Sequence, residues 1–143
     1  MAAEYEFVLA CLDDVDYLLE LRKDTMVEHL LSSGVVYNDD QHKSRILDCF
    51  DCFHLIKCDG QLVGGVKFHA GTAKLDIMQL QISPKFQNQG IGGQVIKQIL
   101  AHFPHLDCYL TVLKTNPAKG LYLRLGFEQC GEDELEYHLR LVR

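Results

Sequence analysis

With 143 residues, 48% hydrophobic and 24% charged, the chain has the size and apolar content of one ordinary domain, which excludes a second good core and excludes disorder. Its formal net charge of -6 excludes a broad basic face for a nucleic acid backbone. No apolar run approaches the roughly 20 residues that cross a bilayer, so no membrane partner is expected.

The first residues are acidic where a secretory signal would be basic, and the expected compartment is cytoplasmic. The cysteines are then thiols, mostly buried as small hydrophobes. Cys49 and Cys52 form one C-x-x-C with His54 and Cys58 nearby. No second pair follows, so this is half of a zinc pattern and no metal is expected.

In chain order, residues 4–9 alternate and predict a first strand. Asp13 or Asp14 is placed to cap a helix running to about Leu31. Asp39 or Asp40 is placed to cap a second, with Ile46, Leu47 and Phe50 on one face. Residues 53–58 and 61–69 predict two strands joined at Asp59-Gly60, the strongest hairpin signal in the chain. Residues 75–82 predict a further strand after a turn at Gly71, ended by Pro84.

A polar, glycine-rich loop covers residues 87–93. Val95, Ile96, Ile99, Leu100 and Phe103 then fall on one face of a helix. Residues 108–113 predict a strand. Asn116 is suited to cap the next helix, with Pro117 in its first turn and Gly126 at its end. Residues 127–130 and 135–142 close the chain as strands around Gly131. No repeat or linker interrupts this order, so a single domain over residues 1–143 is expected. Hairpins in the middle and strand-helix-strand units at the end imply a mixed sheet in an α+β or α/β fold.

Charge is uneven along the chain. From Pro84 to Arg124 the charged residues are Lys85, Lys97, Lys114, Lys119, Arg124 and a single acid, Asp107. A basic segment in an acidic protein suits a phosphate-bearing small ligand; chance clustering on solvated faces is the other reading. The segment Gln87-Asn88-Gln89-Gly90-Ile91-Gly92-Gly93 lies between a strand and a helix. Glycines allow close backbone approach, and the helix start offers unpaired N–H groups with a partial positive charge. Together these suit an anion, most naturally phosphate. The mononucleotide loop Gly-x-x-x-x-Gly-Lys-Ser/Thr is absent, and a dinucleotide fingerprint would need glycine at Val95.

The run from Leu80 to Gly92, with Gln87-Asn88-Gln89-Gly90-Ile91-Gly92 at its end, resembles the acetyl-CoA motif of the GNAT superfamily of N-acetyltransferases. Asn116-Pro117-Ala118-Lys119-Gly120-Leu121-Tyr122, ending in Leu125-Gly126-Phe127, is similar to that family's C-terminal helix segment. The order of elements agrees over nearly the whole chain. Asn88 departs from the pattern, standing where many members have glycine; asparagine tolerates a positive φ better than most residues.

The resemblance implies a mixed, mostly antiparallel sheet, splayed between its fourth and fifth strands and flanked by about four helices. It implies acetyl-CoA as co-substrate. The backbone of Leu80, Gln81 and Ile82 would pair with the pantetheine arm. Gln87, Asn88, Gln89, Gly90, Ile91, Gly92 and Gly93 would hold the pyrophosphate, with Asn116 and Lys119 also on the donor side. Tyr122 matches the position of the general acid that returns a proton to sulfur, the other reading being a rim tyrosine that only packs. Dimers are common in that family, so a homodimer is a further expectation.

Asp76, on the fourth strand, is the candidate base for the attacking amine; it is equally a solvent-facing strand residue. Val15, Leu18 and Leu19 define the stripe of the first helix, and the same spacing reaches Arg22, Met26 and His29. Such an arginine must meet a carboxylate, a ligand or water. Arg22, Met26 and His29 are therefore candidates for the acceptor wall; the alternative is a helix that overhangs the core. The function expected is acetyl transfer to an amine of a small molecule or peptide. The alternative is a non-catalytic acyl-CoA-binding or sensing module on the same fold.

Overall fold

The computed structural model describes residues 4–143. Its elements are β1 (Glu6–Leu9), α1 (Val15–Ser32), α2 (Asp39–Leu47), β2 (Phe53–Cys58), β3 (Gln61–Ala70), β4 (Lys74–Ile82), α3 (Ile91–His102), β5 (Asp107–Leu113), α4 (Lys119–Arg124), β6 (Glu128–Glu132) and β7 (Glu136–Leu141). The strands form one seven-stranded sheet in the order β1-β2-β3-β4-β5-β7-β6. Every neighbouring pair is antiparallel except β4 and β5. This is the mixed, mostly antiparallel sheet with four α-helices that the sequence leads one to expect.

The β2–β3 hairpin turns at Asp59 and Gly60, whose φ values of 50° and 78° give the left-handed pair that such a tight turn needs. β3 and β4 approach so closely that a Cβ on Gly64 would stand 2.1 Å from the Gln81 carbonyl oxygen, so only glycine fits there. Opposite Lys67 and Phe68, Met78 is one residue too many on β4: Lys67 pairs with Gln79 and Phe68 with Ile77.

Helices cover both faces of the sheet. Val95, Ile96, Ile99 and Leu100 of α3 pack with Tyr122 of α4 against Ile56, Val63, Val66, Leu75, Ile77, Leu110 and Leu139. Leu18 and Leu21 of α1 and Ile46 of α2 pack against Phe53 and Leu55 from the other side. Leu55 and Ile56 are adjacent on β2 and point to opposite cores, as strand alternation requires.

Four local expectations are corrected. Neither Asp39 nor Asp40 caps α2: Asn38 does, accepting from the Gln41 N–H while Gln41 Oε1 accepts from the Asn38 N–H, both at 2.8 Å. Leu47 is exposed, and the buried partner of Ile46 on α2 is His42, one turn earlier. Asp14 precedes α1 without capping it, its carboxylate being engaged by the Cys11 N–H at 2.9 Å. Gly131 lies inside β6, at a register shift against β7; the turn is made by Asp133, whose Oδ1 accepts the N–H groups of Leu135 and Glu136. No helix among the described residues is long and apolar enough to cross a membrane.

Candidate functional site

β4 and β5 pair only from Lys74↔Asp107 to Ile77↔Leu110. Beyond that rung β4 stays with β3 as far as Ile82↔Gly64, and β5 stays with β7 as far as Leu113↔Glu136. Each arm is held by its outer neighbour, so the sheet opens as a wedge whose inner backbone edges lack a strand partner. The floor of the wedge is the start of α3. Its far wall is the segment from Asn116 through α4, and the C-terminal half of α1 lies over it. The cavity enclosed has a volume of about 480 Å³.

The bend between β4 and α3 is built for close approach. After the 3-10 turn at Pro84–Phe86, Asn88 has φ 63° and Gly90 has φ 78°, both left-handed. Asparagine is among the few non-glycine residues that adopt this conformation readily. Gly90 precedes α3 without a side-chain cap, and the first turn holds no acid. The N–H groups opening α3 are thus free to bind an anion, and the helix dipole favours one there. The helix begins at Ile91, so Gly92 and Gly93 belong to its first turn and not to the loop. Gly93 is packed: a Cβ there would lie 3.1 Å from Leu121 Cδ1. The Gln87 side chain folds back, its Nε2 donating to the Ile82 carbonyl at 2.9 Å.

Tyr122 enters the cavity from α4. Its ring meets Phe127 edge to face with centroids 5.9 Å apart, and the residue is 8% exposed. Its hydroxyl has no hydrogen-bond partner among the described residues. Burial, reinforced by the nearby Cys108 thiol, pushes the phenol up to about 12, so it keeps its proton at neutral pH. Cys108 is itself fully buried, and burial pushes its thiol up to about 12 as well, which leaves it inert as a nucleophile.

α1 contributes Thr25, Met26 and His29 to the cavity. Its C-terminal end is tied to the far arm: Thr115 Oγ1 donates to the His29 carbonyl at 2.8 Å and lies 3.1 Å from Ser33 Oγ.

Most residues singled out in the sequence meet at this cavity: Met26, His29, Leu80, Gln81, Ile82, Gln87, Asn88, Gly90, Ile91, Gly92, Gly93, Asn116 and Tyr122 all line it. Four do not. Lys119 turns away, donating to Gln129 Oε1 at 2.7 Å with its ammonium 3.8 Å from the Tyr137 ring centroid. Gln89, within the bend, is exposed and does not line the cavity. Arg22 stands one side chain behind the wall. Asp76 lines a separate hollow of about 450 Å³ with Met78, Tyr109, Thr111 and His138. Its nearest cation is Lys74 at 3.7 Å.

Sequence reasoning missed Arg124, Thr25, Phe86 and Leu121, which also line the cavity. Arg124 was visible only as one member of the basic segment; its place two residues after Tyr122 was the available signal. Among the described residues no three His, Cys, Asp or Glu side chains gather as a metal site.

The acetyltransferase (GNAT) family's profile matches residues 15–127. Among solved structures, the PaiA N-acetyltransferase of Thermoplasma acidophilum in complex with coenzyme A superposes with a TM-score of 0.72 at 16% identity, over 98% of this chain and 99% of that one. An acetyltransferase from Thermus thermophilus gives 0.77 at 16% identity over 98% of both chains. An N-acetyltransferase from Staphylococcus aureus gives 0.68 at 14% identity, over 95% of this chain and 100% of that one. At these identities the likeness is one of fold. No curated protein sequence matches the chain.

Proposed function

The chain belongs to the acetyltransferase (GNAT) family, and from that premise we propose that it transfers an acetyl group from acetyl-CoA to the amine of a small molecule or peptide. One domain over residues 1–143 carries the activity, and transfer is direct, with no covalent enzyme intermediate. The observation that carries this reading is a single cavity joining the anion-ready start of α3 to the buried, protonated phenol of Tyr122.

On this reading the main-chain N–H groups of the 87–93 bend hold the pyrophosphate. The unpaired edge of β4 at Leu80, Gln81 and Ile82 takes the pantetheine arm as an added strand would be taken. Asn116 stays on the donor side, where its Oδ1 accepts from the Ala118 N–H and shapes the entry to α4. Arg124 replaces Lys119 as the cation of the donor site, because Lys119 is engaged elsewhere.

The amine nitrogen attacks the thioester carbonyl carbon and a C–N bond forms. The oxyanion is stabilised by main-chain donors where β4 leaves β5. As the C–S bond breaks, Tyr122 gives its proton to sulfur. A proton from solvent restores the phenol, so the tyrosine ends as it began. Asp76, one rung before the strands part, accepts the amine's single surplus proton through water and passes it to solvent.

Replacement Tyr122→Phe tests the assignment. It is expected to lower kcat about 100-fold while acetyl-CoA binds as before, measured by free thiol release and by calorimetry. Unchanged turnover would remove the phenol from the mechanism. Donor binding without turnover on any amine would favour an acyl-CoA sensor.

A further inference from the structure

The wall that α1 gives to the cavity contains a mismatch of donors and acceptors. Arg22 and Gln81 are 5% and 4% exposed. Arg22 Nε donates to His42 Nδ1 at 3.1 Å. The rest of the guanidinium meets a thioether, with Nη1 3.7 Å from Met26 Sδ. The same sulfur takes Gln81 Nε2 at 3.3 Å. A thioether is a weak acceptor, so one sulfur stands where two strong donors are built for oxygen.

The charge is uncompensated as well. Among the described residues no carboxylate lies within ion-pair distance of Arg22. Burial and the neighbouring positive charge of Arg45 hold its guanidinium below the ordinary range, against a smaller opposing effect of Tyr37. A buried cation without a counter-charge is costly, and it persists where something else supplies the anion. The cavity itself does not: its lining includes His29 and Arg124 and no Asp or Glu.

Met26 lines the cavity and Arg22 does not, so a rotation of one unbranched side chain uncovers the cation. We propose that the acceptor is an amino acid, and that its carboxylate displaces the Met26 thioether to bind Arg22 and Gln81 together. This rests on the acetyltransferase reading above and names the substrate class of that site. A carboxylate has lone pairs for both donors at once, and its single negative charge matches the single buried cation. Gln81 and Asp76 lie on the same side of β4, so an acceptor anchored at Gln81 extends along the strand toward the rung where the sheet opens.

The test is a panel of matched amines with acetyl-CoA and the full chain, following free thiol: each amino acid against its decarboxylated amine and its amide. The carboxylate-bearing member is expected to show at least a tenfold higher kcat/KM. Replacement Arg22→Gln is expected to bring the ratio within a pair close to one, chiefly through KM of the amino acid. Replacement Met26→Leu, which keeps the volume and removes the sulfur, is expected to lower KM for the amino acid by freeing the donors. Should the decarboxylated or amidated members react as well as the acids with the wild-type protein, the inference falls while the transferase reading stands. Should Arg22→Gln keep the wild-type ratio, it falls likewise. Thiol release with no amine of the panel would remove both.

Discussion

Under α3 and α4 the sheet meets a dry core: Val95, Ile96 and Ile99 are 0–1% exposed and pack on Val66, Leu75 and Leu139. Under α1 and α2 it meets Leu18, Leu21 and Ile46 mixed with Arg22, His42, Lys67 and Gln81, all equally buried. Polar groups on that side meet unusual partners or none. Lys67 donates to the carbonyls of Arg45 and Asp48, closing the C-terminal end of α2 from a neighbouring strand. Gln79 Nε2 donates to the same Arg45 carbonyl at 3.1 Å, while its Oε1 is buried without a partner. The first face fixes the shape of the wedge. The second keeps charge and hydrogen-bonding capacity in reserve beside it, which is how a surface made to receive a polar ligand differs from one made only to pack.

The largest effect expected from this contrast is on stability. Ile96→Ala should cost about 3 kcal/mol or more, because α3 and the sheet around it cannot collapse onto the void. Lys67→Met should cost less, about 1–3 kcal/mol, because the apolar stem is kept and only the donors to two carbonyls are lost. Denaturant unfolding of the two variants checks the order; the reverse order would mean that the polar side carries the fold.

The smallest effects are in pH dependence, and they have opposite signs. Folding raises Cys108 from 9.0 and Tyr122 from 10.0 to about 12 through burial. The unfolded chain therefore loses those protons first, and stability is intact below about pH 9 and falls as the pH rises toward 12. On the polar side His42 is held below 6.5 by burial and by the Arg22 charge. Its contribution is intact above 6.5 and falls as acid forces a proton onto the nitrogen that accepts from Arg22. Melting temperatures across pH should show Cys108→Ala flattening the alkaline limb and His42→Gln the acid limb. A variant that flattened the other limb would break the division.

Much of this was legible in the residues themselves. The α3 stripe, the Asp59-Gly60 turn and the tolerance of Asn88 for a left-handed φ follow from local chemistry, and local chemistry is what spacing records. The inward position of Arg22 was also visible from the period of α1. Its partner was not, because His42 lies on another helix and periodicity names a face without naming what covers it. Lys119 and Arg124 illustrate the same limit. Both are long cations on one short helix, and their directions are set by Gln129 and Tyr137 on distant strands, which draw one of them away. Asp76 reads as a neighbour of the wedge along the strand, yet it lines a separate hollow beside Tyr109 and His138.

The extra residue at Met78 has a consequence for how β4 is read. Leu75 and Ile77 join the core under α3, and so do Leu80 and Ile82, although two residues, Met78 and Gln79, separate the pairs where alternation allows one. The strand changes parity at Met78, and that single shift sends Gln79 and Gln81 toward α2 and α1. Excising Met78 would straighten the ladder and leave both amides where they are, whereas strict alternation carried through it would turn them into the hydrocarbon around Val95 and leave Leu80 and Ile82 facing the guanidinium.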